Sequence, residues 1–327
     1  MLFAFTRGGT FVKSLHSIGA LTALCIIASG CGGSSVSTTP VGPHAWTVSA
    51  GSSSANEALQ ALEFYPASMT VDAGDTVVFT SPTAEVHSIS IPIPGASAPP
   101  AGDPTAAGPV GGTTYDGTAY ISSGFIAGGA TYSVTFTKPG TYAYYSIPQG
   151  FVSGTVIVQN AGAPYPTSQA AYAATASTAI ASDLASAKAS IATIPYTTGS
   201  TKIAAGVSAG GAAPASSSVM RFMDGPMEGD NLRSTIHLGT TLTFTNLSNN
   251  VPHTVTFPAA GQTPAPGAPD RPASGGTTYD GTQTVNSGVI PPGGVFKLTF
   301  TATGTYTYYC LFHDGSEGMT GTVTVTP

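Results

Sequence analysis

Gly304-Thr-Tyr-Thr-Tyr-Tyr309, followed by Cys310-Leu-Phe-His313-Asp-Gly-Ser-Glu-Gly-Met319 and then Thr320-Gly-Thr-Val-Thr-Val-Thr326, is the stretch on which the reading of the chain turns. Val323 and Val325 alternate with Thr322, Thr324 and Thr326, the period of two expected of a strand with one buried face. Cys310 then ends one strand, Met319 begins the next, and His313 lies in the loop between them. One hairpin loop can thus carry a thiolate, an imidazole and a thioether to a single point.

The same alternation extends upstream. In Thr241-Leu-Thr-Phe-Thr245 the apolar residues face one way and the threonines the other, and Phe296, Leu298 and Phe300 alternate with Lys297, Thr299 and Thr301. Short strands separated by Gly/Pro turns predict an antiparallel Greek-key sandwich. The pattern also occurs twice. Gly111-Gly-Thr-Thr-Tyr-Asp-Gly-Thr118 recurs unchanged as Gly275 to Thr282, and Gly140-Thr-Tyr-Ala-Tyr-Tyr145 answers Gly304 to Tyr309, both pairs 164 residues apart. Val71 to Thr80 answers Ile236 to Thr245. A period this long marks a duplicated domain. The expected fold is all-β, with two tandem sandwiches at 44–160 and 199–327. They are joined by 161–198, where the Ala-rich run Ser168 to Thr193 predicts one helix ended by Pro195 and serving as a spacer.

About sixty residues before the Cys310 loop stands Asn246-Leu-Ser-Asn-Asn-Val-Pro-His253-Thr-Val-Thr-Phe257. His253 must come from a different strand, and the Val255/Phe257 alternation it begins puts it on the face of the other donors. A thiolate, two imidazoles and a thioether make the donor set of a blue-copper electron-transfer site. A lone Cys at a strand end is usually a small buried hydrophobe. Here, though, it is the only Cys outside the N-terminal segment, and all four donor types converge with it.

The Asn-rich turn into Pro-His-x-Val-x-Phe, Tyr-Tyr-Cys-x-x-His and Gly-Met-x-Gly-x-Val together resemble the cupredoxins, in particular the plastocyanin, pseudoazurin and amicyanin branch. The resemblance implies two cupredoxin β-sandwiches and one type 1 copper per chain. It implies His253, Cys310 and His313 as ligands, with Met319 as the axial donor. It also implies that the His313 ring edge faces solvent between Leu311 and Phe312 as the electron port. Two departures stand out: five residues separate His313 from Met319, one more than in plastocyanin, and Thr254 occupies a position where the family often has Asn.

In the first half Cys310 is replaced by Ser146, His313 by Gln149 and Met319 by Val152, and only the first imidazole survives, as His87. One imidazole with Ser and Gln cannot hold soft Cu(I), so this half is expected to lack a complete copper site and to be structural or a docking surface. Met220, Met223 and Met227 fall within eight residues and could form a second, thioether copper strip, although Met is mainly a core filler.

At the N-terminus, Arg7 and Lys13 precede the apolar stretch Ile18 to Ile27, and small residues then lead to Cys31. This resembles a bacterial lipoprotein signal, with residues 1–30 removed and Cys31 lipidated, although Ala28 stands where Leu is usual. Residues 31–43 read as a flexible tether. The expected location is the bacterial cell envelope, lipid-anchored and facing the periplasm or cell exterior. Cleavage would leave seven basic residues against fifteen acidic ones.

Composition narrows the function. Only 7% of the residues are charged and nine basic residues are scattered along the chain, so no footprint for nucleic acid exists. Two of the three Cys lie in the targeting segment, which leaves one, so a disulfide scaffold is excluded. The expectation is a non-enzymatic carrier of single electrons between redox partner proteins, held to the membrane by its N-terminal lipid. Copper buffering or delivery is the alternative. A multicopper enzyme would need further imidazoles, typically His-x-His pairs, and the sequence has none.

Overall fold

The computed structural model describes residues 42–97, 99–100, 108–209, 215–226, 232–264, 272–315 and 317–327. The signal, Cys31 and Met227 lie outside these. Ten strands come first: β1 (Ala45–Ser53), β2 (Leu59–Tyr65), β3 (Ser68–Asp72), β4 (Thr76–Ser81), β5 (His87–Ile91), β6 (Thr114–Tyr115), β7 (Ile121–Ile126), β8 (Ala130–Phe136), β9 (Gly140–Tyr145) and β10 (Ser153–Gln159). After helix α1 (Gln169–Ser190) the series repeats: β11 (Lys202–Ser208), β12 (Ser217–Met223), β13 (Leu232–His237), β14 (Thr241–Leu247), β15 (Thr256–Phe257), β16 (Thr278–Tyr279), β17 (Val285–Asn286), β18 (Val295–Phe300), β19 (Gly304–Tyr309) and β20 (Thr320–Thr326).

Each half is a two-sheet sandwich. In the first, β2-β1-β4-β8-β6 packs on β3-β10-β9-β5-β7; in the second, β12-β11-β14-β18-β16 packs on β13-β20-β19-β15-β17. The strand correspondence is one to one, as duplication requires. The sheets are not wholly antiparallel: β1 runs parallel to β4 and β3 to β10, with the same pairings in the second half. These partners are not joined by hairpins, so nothing forces them antiparallel, and alternation along single strands does not reveal their sense.

The alternating residues meet between the sheets. Phe64 packs on Tyr144 with ring centroids 4.7 Å apart, and the equivalent Phe222 packs on Tyr308 at 4.7 Å. Full burial of such a side chain stabilises by about 1.5–3 kcal/mol, against about 1 kcal/mol net for a hydrogen bond. Residue for residue, burial in this aromatic core therefore stabilises more than a single ladder bond does, and it lets a chain so poor in charge hold two sandwiches.

The halves share a sheet. β2 pairs antiparallel with β12 through Ser217↔Ala61, Ser218↔Gln60 and Val219↔Leu59, making one ten-stranded sheet. Beyond this register Leu62 N donates to Ser216 O at 2.7 Å and Met220 N to Ala58 O at 2.8 Å. Just past the matching irregularities in β1 and β11, Ser52 pairs with Ala61 and Val207 with Val219. Ala61 and Val219 are thus equivalent positions, as are Gln60 and Ser218, and the latter two are paired across the seam. The seam is therefore self-complementary, like a two-fold dimer interface built into one chain, and it hides two sheet edges that would otherwise invite aggregation.

The helix does more than space the halves. Ser168 caps it, its hydroxyl accepting from Ala171 N at 3.2 Å, and a 3-10 turn at Ile191–Thr193 ends it. Ala176 packs with Ala61 and Tyr65 of the first half, while Ala187 packs with Ala204, Val207 and Val219 of the second. Between them Asp183 accepts from Tyr65 Oη at 2.5 Å and from Ser216 Oγ at 2.6 Å, so one carboxylate grips both halves across the seam.

Candidate metal centre

The Cys310 loop closes the β19–β20 hairpin, whose ladder runs from Gly304↔Val325 to Tyr309↔Thr320. Backbone bonds cinch it: Cys310 N donates to Met319 O at 3.1 Å, His313 N to Cys310 O at 3.0 Å and Met319 N to His313 O at 2.7 Å. His253 arrives on the segment leading into β15, the neighbour of β19 in the same sheet, exchanging 2.7 and 3.1 Å backbone bonds with Ile290, while Thr256 pairs with Tyr309 on β19. His253 and Cys310 are fully buried and His313 is 3% exposed.

Among the described residues, His253, Cys310 and His313 form the one group of titratable side chains close enough to share a metal ion. His253 Nδ1 lies 3.2 Å from His313 Nδ1, and Cys310 Sγ lies 3.2 Å from His313 Nδ1 and 3.7 Å from His253 Nδ1. A point equidistant from three atoms so spaced is about 2 Å from each, the length of a first-row metal bond to nitrogen and close to one to sulfur. Two imidazole nitrogens and a thiolate in a triangle are the trigonal set that suits copper.

The electrostatics agree. Burial pushes His253 well below the usual imidazole range, and the charge of His313 pushes it further, leaving it a neutral donor. Burial opposes ionisation of Cys310, but the charge and hydrogen bond of His313 and the amides of Thr254 and Phe312 outweigh it and hold the thiol below its ordinary value. Although burial opposes it, the charges and hydrogen bonds of Cys310 and Glu85 hold His313 well above the usual imidazole range, so a metal taken up at its Nδ1 displaces a proton. Met319 is fully buried in the core beside these residues, fixed by its backbone bonds to Cys310 and His313.

The surroundings of the ligands are equally specific. Ser248 Oγ meets His253 Nε2 at 3.1 Å and so leaves Nδ1 for the metal. Asn246 pins the preceding turn, its amide donating to Val251 O and Ile290 O while its oxygen accepts from Ser248 N. Thr254 N donates to Cys310 Sγ at 3.4 Å, and Thr254 Oγ1 accepts from Leu311 N at 2.7 Å. The Thr found where the family often has Asn therefore ties the two ligand loops together.

Compared with known families, residues 51–159 and 218–326 each match the profile described as copper binding proteins of the plastocyanin/azurin family. The chain belongs to that family. Similar solved structures include a methionine-to-glutamine mutant of amicyanin in the Cu(I) state, 24% identical, covering 35% of this chain and 82% of that one at a TM-score of 0.24. Another is a purple cupredoxin from Nitrosopumilus maritimus, 18% identical, covering 35% and 99% at a TM-score of 0.24. A comparison with curated protein sequences found no match.

Within this cupredoxin pair the first half keeps the shape of a site without its donors. His87 Nδ1 lies 3.3 Å from Ser146 Oγ, which donates to Gln149 Oε1 at 2.5 Å, and Val152 is buried core. Burial pushes His87 down to about 4, only partly countered by the charge of Glu85. Met220 and Met223 do not converge: Met220 packs in the main core, whereas Met223 packs with Val219 under the helix. Successive strand positions alternate faces, so residues three apart on β12 point to opposite sides.

One expectation is overturned. The His313 ring edge does not face solvent. Its Nε2 lies 3.4 Å from Glu85 Oε2 of the first half. Sequence reasoning missed Arg221, which donates to Met220 O and Asn56 O at 2.7 Å each and to Glu317 O, joining the Cys310 loop to the first half.

Proposed function

We propose that this chain carries single electrons at one copper held by His253, Cys310 and His313, with Met319 as the weak axial donor. The observation that carries this reading is the donor triangle of His253, Cys310 and His313, buried and braced by the backbone bonds of its loops. Bound copper would supply a one-electron Cu(II)/Cu(I) change. The protein's part is to keep two neutral imidazoles and a thiolate at fixed separation in a dry core, so that little has to move when the charge changes. Enzyme chemistry is not part of this proposal, and the second expected role, copper delivery, differs by transferring the ion to a partner apoprotein.

The test is a redox titration of copper-loaded protein, expected to follow a one-electron curve. Met319→Leu should keep copper and raise the potential, because Cu(II) loses an axial donor more than Cu(I) does. A tenfold shift in the Cu(II)/Cu(I) ratio, about 59 mV for one electron, is the scale expected. Met319→Gln should lower it through a harder oxygen donor. If neither variant moves the potential while His253→Ala removes the copper, Met319 only fills space.

We further propose that Cys31 is lipidated and places the carrier on the cell-envelope surface, beside its redox partners. Among the described residues no helix is long and apolar enough to cross a membrane. Mass spectrometry of the membrane fraction should find an acylated N-terminal Cys31; soluble protein cut elsewhere would refute it.

A further inference from the structure

The outer edge of His313 belongs to a network that begins in the other half. His87 Nδ1 meets Ser146 Oγ, Ser146 Oγ donates to Gln149 Oε1, and Gln149 Nε2 donates to Glu85 Oε1 at 2.8 Å and Val86 O at 2.6 Å. The remaining oxygen, Glu85 Oε2, faces His313 Nε2 at 3.4 Å. The residues left where a copper site has been lost thus orient a carboxylate toward the site that was kept. Gln149 occupies the repeat position of His313 itself. Glu85 occupies the position of Val251, so the feature exists on one side of the pseudo-two-fold only.

The chemistry of these contacts calls for a carboxylate. With Nδ1 turned to the metal, His313 Nε2 carries the proton and can only donate, and Gln149 Nε2 also donates. Only a group that accepts twice satisfies both. A carboxylate does so, whereas an amide would turn its own donor on one of them. Ligating imidazoles generally pass their second N–H to such an acceptor, which fixes ring orientation and raises ligand basicity. Above the pair, Pro148 and Gln149 of one half and Pro252 and Phe312 of the other wall a cleft of about 170 Å³, so the ring edge lies at the bottom of an interdomain crevice and not on an open surface.

We propose that the first half serves as a cap on the copper centre, and that Glu85 is its positioning residue, taking the Nε2–H of His313 and holding that ring in place. This rests on the copper-carrier reading above. A carboxylate one ring away also adds negative charge near the metal, which favours Cu(II) over Cu(I). The full-length copper-loaded protein therefore has a lower potential than it would have without Glu85.

The experiment compares wild type, Glu85→Gln, Glu85→Ala and Glu85→Asp. In copper-loaded protein Glu85→Gln and Glu85→Ala should raise the potential, by about a tenfold shift in Cu(II)/Cu(I) ratio or 59 mV, while Glu85→Asp, which keeps the charge, stays nearer wild type. In copper-free protein the His313 ring N–H should exchange slowly with solvent in wild type and fast in Glu85→Ala, a readout that needs no metal. A salt bridge that only joined the halves would lower the melting temperature in all three variants and leave the potential unmoved, and that result overturns the cap. Wild type that takes up no copper overturns the carrier reading and the cap together. A wild-type potential shared by Glu85→Gln and Glu85→Ala overturns the cap alone.

Discussion

Cys310→Ser is expected to abolish the intense visible band of the copper-loaded protein completely and to leave copper bound weakly if at all. The band arises from charge transfer between thiolate and copper, and a hydroxyl at this position stays protonated and is too hard a donor for Cu(I). The chain carries its own control for this change. In the first half Ser146 already occupies the equivalent position, and its hydroxyl is spent on Gln149 and His87 instead of a metal. Metal analysis should accordingly find one copper per wild-type chain and close to none in Cys310→Ser. Two tightly bound coppers, with His87 required for the second, would show that the first half is a working site after all. An intense band surviving in Cys310→Ser would remove the thiolate from the centre.

The features legible in the sequence are those set by local pattern or short loops. The duplication was visible because the Gly111 and Gly275 segments are identical, and the strands because Thr alternates with Val, Leu and Phe. The convergence of Cys310 and His313 was legible because one hairpin loop contains both. His253 was legible because the strand that follows fixes its face. The contacts between halves were not. Glu85 and His313 are distant in sequence, and nothing near either residue announces the other; the contact exists only because β2 and β12 pair edge to edge around Gln60 and Ser218. The solvent-facing port was expected because single-domain relatives have no second sandwich to cover it. Arg221 and Asp183 were hidden for the same reason: each satisfies groups from both halves, a need that arises only at the seam.

The second large effect is expected at Gly206, which no ligand motif contains. β11 breaks register between Ala205 and Val207, and the glycine at the break has φ +73, a left-handed conformation that other residues adopt only at a cost. Its lack of a side chain is also used. A Cβ there would lie 2.2 Å from His253 Nε2 and 2.7 Å from Ser248 Oγ, well inside any tolerated contact. His253 cannot yield easily, because Ile290 holds its backbone on both sides and Ser248 its ring. Gly206→Ala should therefore cost about 1–3 kcal/mol in backbone strain and about 1–3 kcal/mol in overpacking. It should also weaken copper binding by about 10- to 100-fold, as the loss of a ligand's supporting contact does. Gly51 is the matched control. It has φ +75 at the same break in β1, and a Cβ there would lie 2.6 Å from His87 Nε2. Gly51→Ala meets a similar clash against His87, a ring with no thiolate beside it, so it should lower the melting temperature comparably while weakening copper binding far less than Gly206→Ala does. Copper competition titrations and thermal melts on the two variants separate the effects. If Gly206→Ala binds copper as tightly as wild type, the bulge glycine does not seat the ligand; if Gly51→Ala loses copper equally, the loss reflects general damage to the fold.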